Sequence, residues 1–181
     1  MWGVFIGGSA VMKKLKYNFL LSSIAILVVF AAVSSAQTIL TTLDGARVDI
    51  AGQRGKVVVL AIGATWLPLS TKQAEYTNTL AKKYAGRDVV FYFVSTDSAN
   101  TRSKNFVSPV EIKHFVTTAK LNVQMLRDPD GAETIKKFGI EQVPSFVILD
   151  KAGKLSGEPF GGIDPKYDIT VPISRAIDRL L

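Results

Sequence analysis

Runs of consecutive apolar residues mark the interior of a predicted sheet. Six stand together at 57–62, six more at 89–94, and a shorter run at 146–149 belongs to a predicted strand over 145–149. An unbroken run of this kind is typical of a strand covered on both faces, as in a parallel or mixed sheet. A further short strand is expected around 123–126. At the start of this region, alternating apolar and polar residues over 39–50 with Asp44-Gly45 between them predict an edge hairpin.

Apolar residues at helical spacing separate these strands. The helix-like segments are 73–84, 112–119, 132–138 and 173–181. Three of them follow a sequence with the spacing of a capping box, in which a polar side chain and a Glu or Gln three residues later bond to each other's backbone. The pairs are Ser70 with Gln73, Ser108 with Glu111, and Asp130 with Glu133.

The predicted order is strand, helix, strand, helix, strand, helix, hairpin, helix. The last hairpin joins 145–149 to 154–160 through a type I turn at Asp150–Gly153. Alternation of strands and helices predicts an α/β fold, and the hairpin makes its central sheet mixed. We expect one domain over residues 37–181, with helices flanking the sheet.

Residues 1–36 have the pattern of a secretory signal peptide. Three lysines at 13, 14 and 16 precede the apolar run 19–33, and small residues follow up to Ala36. We therefore predict cleavage after Ala36 and a periplasmic or secreted protein. Met12 is the more natural start, which makes residues 1–11 an over-called extension. The alternative is an uncleaved membrane anchor, although the run is short for a span of ~20 residues. If this segment stays uncleaved, it is the only part of the protein that is predicted to contact a membrane.

Charge and cysteine content restrict the classes of function that the protein can have. The formal net charge is +7, and it falls by three when the lysines of the signal leave. The remaining basic residues are scattered without an aromatic-interleaved stripe, so nucleic-acid binding is not predicted. The chain contains no cysteine. That absence excludes disulfide bonds, thiol catalysis and thiolate metal sites.

The junction after the first long strand is the expected site, because ligands of α/β sheets bind beyond the carboxyl ends of strands. Its sequence, Ala64-Thr65-Trp66-Leu67-Pro68-Leu69-Ser70, resembles the active-site segment of the extracytoplasmic TlpA-type thiol-disulfide reductases, which runs Ala-Thr-Trp-Cys-Pro-Pro-Cys. Four positions match. Leu67 and Ser70 stand where that family has its two cysteines.

The resemblance continues along the chain and implies a thioredoxin-like fold. The segments 94–97, 126–131 and 138–150 are similar to the family's second core strand, the loop before its third helix and its proline-loop strand. In the family that proline is cis and faces the cysteine pair, a place that Pro144 would take here. Exported redoxin-type peroxidases share this layout, so TlpA-type and peroxidase-type ancestry both stay open.

Catalysis by other groups has little support in the sequence. A nucleophilic serine needs a base, and the only histidine, His114, lies on the polar face of its predicted helix. Ser70 is therefore interpreted as a helix cap or first-turn residue. The acidic residues at 128, 130 and 133 do not have the spacing of a calcium loop. No catalytic residue, metal site or cofactor is predicted.

Because the chain has no cysteine for thiol chemistry, binding is the function that the resemblance still implies. In the family, the loop before the cis-proline pairs its backbone with an extended client peptide. The corresponding apolar surface would hold a protein or peptide without a covalent step. Its predicted residues are Trp66, Leu67, Pro68, Leu69, Ser70, Val143 and Pro144. Two alternatives remain: an accessory member of an envelope redox system whose partner supplies the thiols, and a relic that only folds.

Overall fold

Seven strands form one mixed sheet in the computed structural model, which describes residues 37–164 and 166–181. The strands are β1 Ile39–Thr42, β2 Arg47–Asp49, β3 Val57–Gly63, β4 Val89–Ser95, β5 Gln124–Arg127, β6 Ser145–Leu149 and β7 Phe160–Gly161. Their order across the sheet is β2-β1-β5-β4-β3-β6-β7. The long apolar runs β3 and β4 lie side by side near the centre, and every residue of β3 is buried.

The directions of the strands confirm a mixed sheet. β3, β4 and β5 run parallel to one another, whereas β6 is antiparallel to β3. The predicted edge hairpin is present as β1 and β2, with a turn at Gly45. The second arm of the late hairpin is shorter than predicted. It has one isolated bridge between Leu149 and Leu155 before the two-residue β7.

Three α-helices pack on one face of the sheet within the described residues. They are α1 Ser70–Lys83, α2 Pro109–Thr118 and α3 Thr170–Asp178. Their apolar side chains join the β-strand residues Phe93 and Phe146 in one buried cluster. The predicted capping box at the start of α2 is confirmed, because Ser108 and Glu111 each bond to the other's backbone N–H.

The opposite face of the sheet carries a second cluster, which includes Leu60, Ile62 and Val147. Phe138 and Ile140 cover it from a segment of consecutive turns, not from the α-helix that the sequence predicts at 132–138. A short 3₁₀ turn, Pro129–Gly131, precedes that segment.

Backbone geometry explains why no helix begins at Gly131 with Asp130 as its cap. Asp130 and Gly131 have φ values of 60° and 67°, which lie in the left-handed region and interrupt a right-handed helix. The capping role predicted for Asp130 belongs to Asp128. Its buried carboxylate accepts hydrogen bonds from the backbone N–H groups of Glu133 and Thr134.

The predicted signal segment, residues 1–36, lies outside the described residues. Among the residues that the structure does describe, no helix has the length and apolar character needed to cross a bilayer.

Candidate functional site

The two segments predicted to form the binding surface emerge at one edge of the sheet. Ile62 in β3 pairs with Ser145 in β6, which places the next residues, Gly63 and Pro144, beside each other. A Cβ atom built on Gly63 would lie 3.5 Å from the Cβ of Pro144. The loop 64–69 and the residues 143–144 therefore leave neighbouring strand ends.

A glutamine side chain joins the ends of these two strands. The buried Gln73 donates from Nε2 to the carbonyl of Ile62 at 3.2 Å and to the carbonyl of Ser145 at 2.8 Å. Gly63 leaves room for it, since a Cβ there would stand 2.5 Å from Oε1 of Gln73. Gln73 thus ties α1 to both strands beneath the candidate surface.

Ser70 and Gln73 do not form the capping box that their spacing predicts. The residue that caps α1 is Leu69, and no side chain bonds to the first-turn N–H groups from that position. Ser70 is the first helical residue and is fully buried, and its Oγ donates to the carbonyl of Ala64 at 2.5 Å. The hydroxyl holds the loop against the helix and has no base beside it.

Asp97 supports the other side of the loop. The sequence pattern did not predict this role. The side chain is completely buried. It accepts the backbone N–H of Thr65 at 3.0 and 3.1 Å and the hydroxyl of Ser95 at 2.7 Å. The signal that could have revealed it is an acidic residue two positions after a buried strand. Its carboxylate fixes where the loop leaves β3.

The exposed part of the predicted surface is smaller than expected. Trp66 is 53% exposed and Pro68 is exposed, while Leu67 and Val143 are half-buried. Leu69 is half-buried and packs against the core. Ser70 and Pro144 are buried, so their side chains lie beneath the surface and do not form it. This corrects the predicted set, and Trp66, Leu67, Pro68 and Val143 remain as the accessible surface.

Backbone groups at this surface are available for pairing. The Val143–Pro144 peptide bond is cis. Within the described part of the chain, neither the N–H nor the carbonyl of Val143 has a backbone partner. A segment that approaches Val143 in an extended conformation finds one donor and one acceptor, with the Trp66 ring exposed on the adjoining loop.

Other chemistry has no support at this edge. His114 is exposed on α2, a different element from those that form the surface. Over residues 37–164 and 166–181, no group of three His, Cys, Asp or Glu side chains could hold a metal ion.

The domain is similar to proteins of the AhpC/TSA family and to thiol-disulfide oxidoreductases. The sequence profile of the AhpC/TSA family matches residues 33–157. The thiol-disulfide oxidoreductase ResA of Bacillus thuringiensis subsp. konkukian is 29% identical over 120 residues, which are 66% of this chain and 64% of ResA. ResA of Bacillus anthracis is 27% identical over 123 residues, 68% of this chain and 65% of that one. The chain therefore spans just under two thirds of the length of these relatives.

Solved structures give the same fold. The exposed lipoprotein thioredoxin of Streptococcus pneumoniae is 25% identical, with a TM-score of 0.63 over 80% of this chain and 100% of that one. A thiol:disulfide interchange protein DsbE from Chlorobium tepidum is 21% identical, with a TM-score of 0.63 over 79% and 94%. These neighbours confirm the predicted thioredoxin-like fold.

Proposed function

The chain belongs to the AhpC/TSA family, and we propose that within it this protein is an exported, redox-inactive module that binds an extended protein or peptide segment. Disulfide exchange needs a thiolate to attack a disulfide sulfur. Leu67 and Ser70 occupy the two positions that are cysteines in the TlpA-type segment, and no cysteine exists elsewhere in the chain. The fold of the oxidoreductases is kept here without their reacting groups.

The observation that carries the proposal is the unpaired backbone of Val143 beside an exposed aromatic residue. A strand-like peptide gains affinity from main-chain hydrogen bonds and specificity from the side chains that flank them. Trp66 contributes a large apolar face at little cost in side-chain entropy. Leu67 keeps the centre of this surface apolar, at the position where a cysteine would make it reactive.

Trp66 also provides a direct measurement of binding. The chain has two tryptophans, Trp2 and Trp66. With Trp2→Phe, Trp66 is the sole tryptophan whether or not residues 1–36 have been cleaved. A suitable probe is a nine-residue peptide of alternating threonine and valine, whose β-branched residues favour an extended conformation.

We expect Leu67→Asp to weaken binding of this peptide by about tenfold or more. A carboxylate at that position must lose water when the peptide covers it, and an unpaired polar group costs about 1–3 kcal/mol on burial. Leu67 is not among the residues packed into either core cluster, so the domain should stay folded. Fluorescence titration gives the dissociation constant, and circular dichroism checks the fold.

The matched control is Val110→Asp. Val110 is 75% exposed near the N-terminus of α2, where an added acid is compatible with the helix. It should bind the peptide as the parent does. If Leu67→Asp binds equally well, this surface is not the binding site.

Export is part of the proposal and is supported by the signal-like N-terminus and by relatives. Those relatives include an exposed lipoprotein and a secreted disulfide oxidoreductase of Mycobacterium tuberculosis. We expect the protein recovered from the cell envelope to begin at Gln37. Intact mass measurement tests this. A mass that includes the apolar run 19–33 would indicate an anchor in place of a cleaved signal.

A further inference from the structure

A groove of about 350 Å³ lies directly beside the candidate binding surface. One wall is the segment 138–142, and the other is formed by residues between Leu155 and Gly161. Gln142 of the first wall is followed in the chain by Val143, whose backbone is free. A peptide extended along Val143 therefore passes the mouth of the groove within one or two residues, at ~3.3 Å per residue.

The rim of the groove is acidic. Glu141 and Glu158 lie on opposite walls, and both are exposed. Neither carboxylate has an ion-pair or hydrogen-bond partner among the described residues. Among the described residues that line the groove, none is a lysine, arginine or histidine. The charge at its mouth is therefore negative and uncompensated by the walls.

The groove is lined by both polar and apolar groups, and three apolar side chains contribute to its walls. Phe138 and Ile140 are buried members of the second core cluster, and Leu155 is 41% exposed on the facing wall. Such a lining suits an aliphatic chain that ends in a charged group, because lysine and arginine bury their stems and keep the charge near water.

Ser145 supplies a separate indication that the groove has a ligand. It lines the groove and is completely buried, yet its Oγ has no hydrogen-bond partner. Alternation along β6 puts its side chain on the same face of the sheet as Val147, the face that Phe138 and Ile140 cover. Buried hydroxyls are seldom left unpaired in native proteins. An N–H donor that enters the groove would satisfy it.

We propose that this groove takes a lysine or arginine side chain of the bound peptide, so that the module prefers extended segments with a basic residue next to the portion covering Val143. The inference rests on the proposed function and adds the chemistry of the partner. The stem packs against Phe138, Ile140 and Leu155. The cationic head has several N–H donors, which pair with Glu141 and Glu158 at the rim and with Oγ of Ser145 inside.

Three probe peptides test the preference. They share the alternating threonine–valine sequence and carry lysine, norleucine or glutamate at the central position. Binding is followed by Trp66 fluorescence in the protein that carries Trp2→Phe. We expect the lysine peptide to bind about tenfold more tightly than the norleucine peptide, and the glutamate peptide to bind most weakly. The lysine preference should shrink as salt concentration rises, because the rim carboxylates are exposed.

The variants locate the preference in the groove. Glu141→Gln with Glu158→Gln should bring the lysine and norleucine peptides within about twofold of each other. Ser145→Ala should lower the lysine preference by a smaller factor. Glu133→Gln is the matched control, because this exposed acid does not line the groove and should preserve the preference.

The outcomes separate this inference from the proposed function. Equal binding of all three peptides, each weakened by Leu67→Asp, would overturn the basic-residue preference and leave the binding module intact. A preference for lysine that survives in the double glutamine variant would also overturn it, since the cation would then be held elsewhere. Failure of all three peptides to bind would overturn the proposed function together with this inference.

Discussion

The double substitution Leu67→Cys with Ser70→Cys is expected to convert the domain from a protein with no thiol into one that forms a reversible disulfide. The backbone N–H of Ser70 donates to the carbonyl of Leu67 at 3.0 Å, which closes a turn between the two positions. Residues related by such a turn have Cα atoms less than ~7 Å apart. A disulfide accepts Cα separations of ~4.4–6.8 Å.

The new thiol at position 67 should also be reactive. It precedes α1, which has no acidic residue in its first turn to offset the positive end of the helix dipole. The thiol pKa should therefore lie below the ordinary value of ~8.5, because the thiolate is favoured there. Alkylation followed by mass measurement across a series of glutathione buffers gives the redox equilibrium. Insulin reduction, followed by turbidity, should rise well above the background of the parent.

Ser70→Cys alone is the control for this gain. It places one buried sulfur beneath the loop and leaves Leu67 at the attacking position, so insulin reduction should stay at background. A folded double variant whose thiols remain unpaired at every glutathione ratio would show that positions 67 and 70 do not approach each other as the turn indicates.

Asp97→Ala should destabilise the domain by about 3 kcal/mol. The substitution leaves the N–H of Thr65 without its acceptor and removes the partner of the Ser95 hydroxyl, and hydrogen bonds to charged groups contribute about 1.5–3 kcal/mol each. With a urea m-value of about 1.5 kcal/mol/M, the unfolding midpoint should fall by about 2 M. Urea titration followed by circular dichroism measures the shift.

Two variants show whether the loss comes from these bonds. Asp97→Asn keeps an oxygen acceptor for Thr65 and should lose less than half as much stability. Asp88→Ala removes an exposed acid whose side chain makes no hydrogen bond among the described residues, so it should unfold near the parent midpoint. An Asp97→Ala midpoint within 0.5 M of the parent, on the order of the effect of a surface substitution, would contradict this role.

Sequence predicted best those features that depend on few distant contacts. The run 57–62 is apolar throughout because β3 is covered on both faces, and that composition is visible without knowing what covers it. The capping box of Ser108 with Glu111 was predicted correctly because both partners lie within one turn. The thioredoxin-like fold was predicted from the resemblance of segments 64–70 and 138–150, which stand in the expected order.

The predictions that were wrong involve residues whose hydrogen-bond partners are distant in the sequence or whose backbone has a positive φ. Gln73 has the spacing of a capping residue, but its amide bonds instead to a carbonyl 72 positions away. Asp130 resembles a cap in sequence, yet its positive φ gives that role to Asp128. Asp97 and the burial of Pro144 depend on how the strand ends meet, which no local pattern specifies.

The amide of Gln73 has a consequence for how the protein is made. Its two acceptors are the carbonyl of Ile62, which is synthesised early, and that of Ser145, which emerges only after most of the chain. Contacts between such distant positions form late in folding, because the intervening chain must first be ordered. A fragment that ends before Val143 would contain Trp66 and Leu67 without the other segment of the candidate surface. The two segments of the candidate surface therefore come together only once residues 143–181 have been synthesised and β6 has paired with β3.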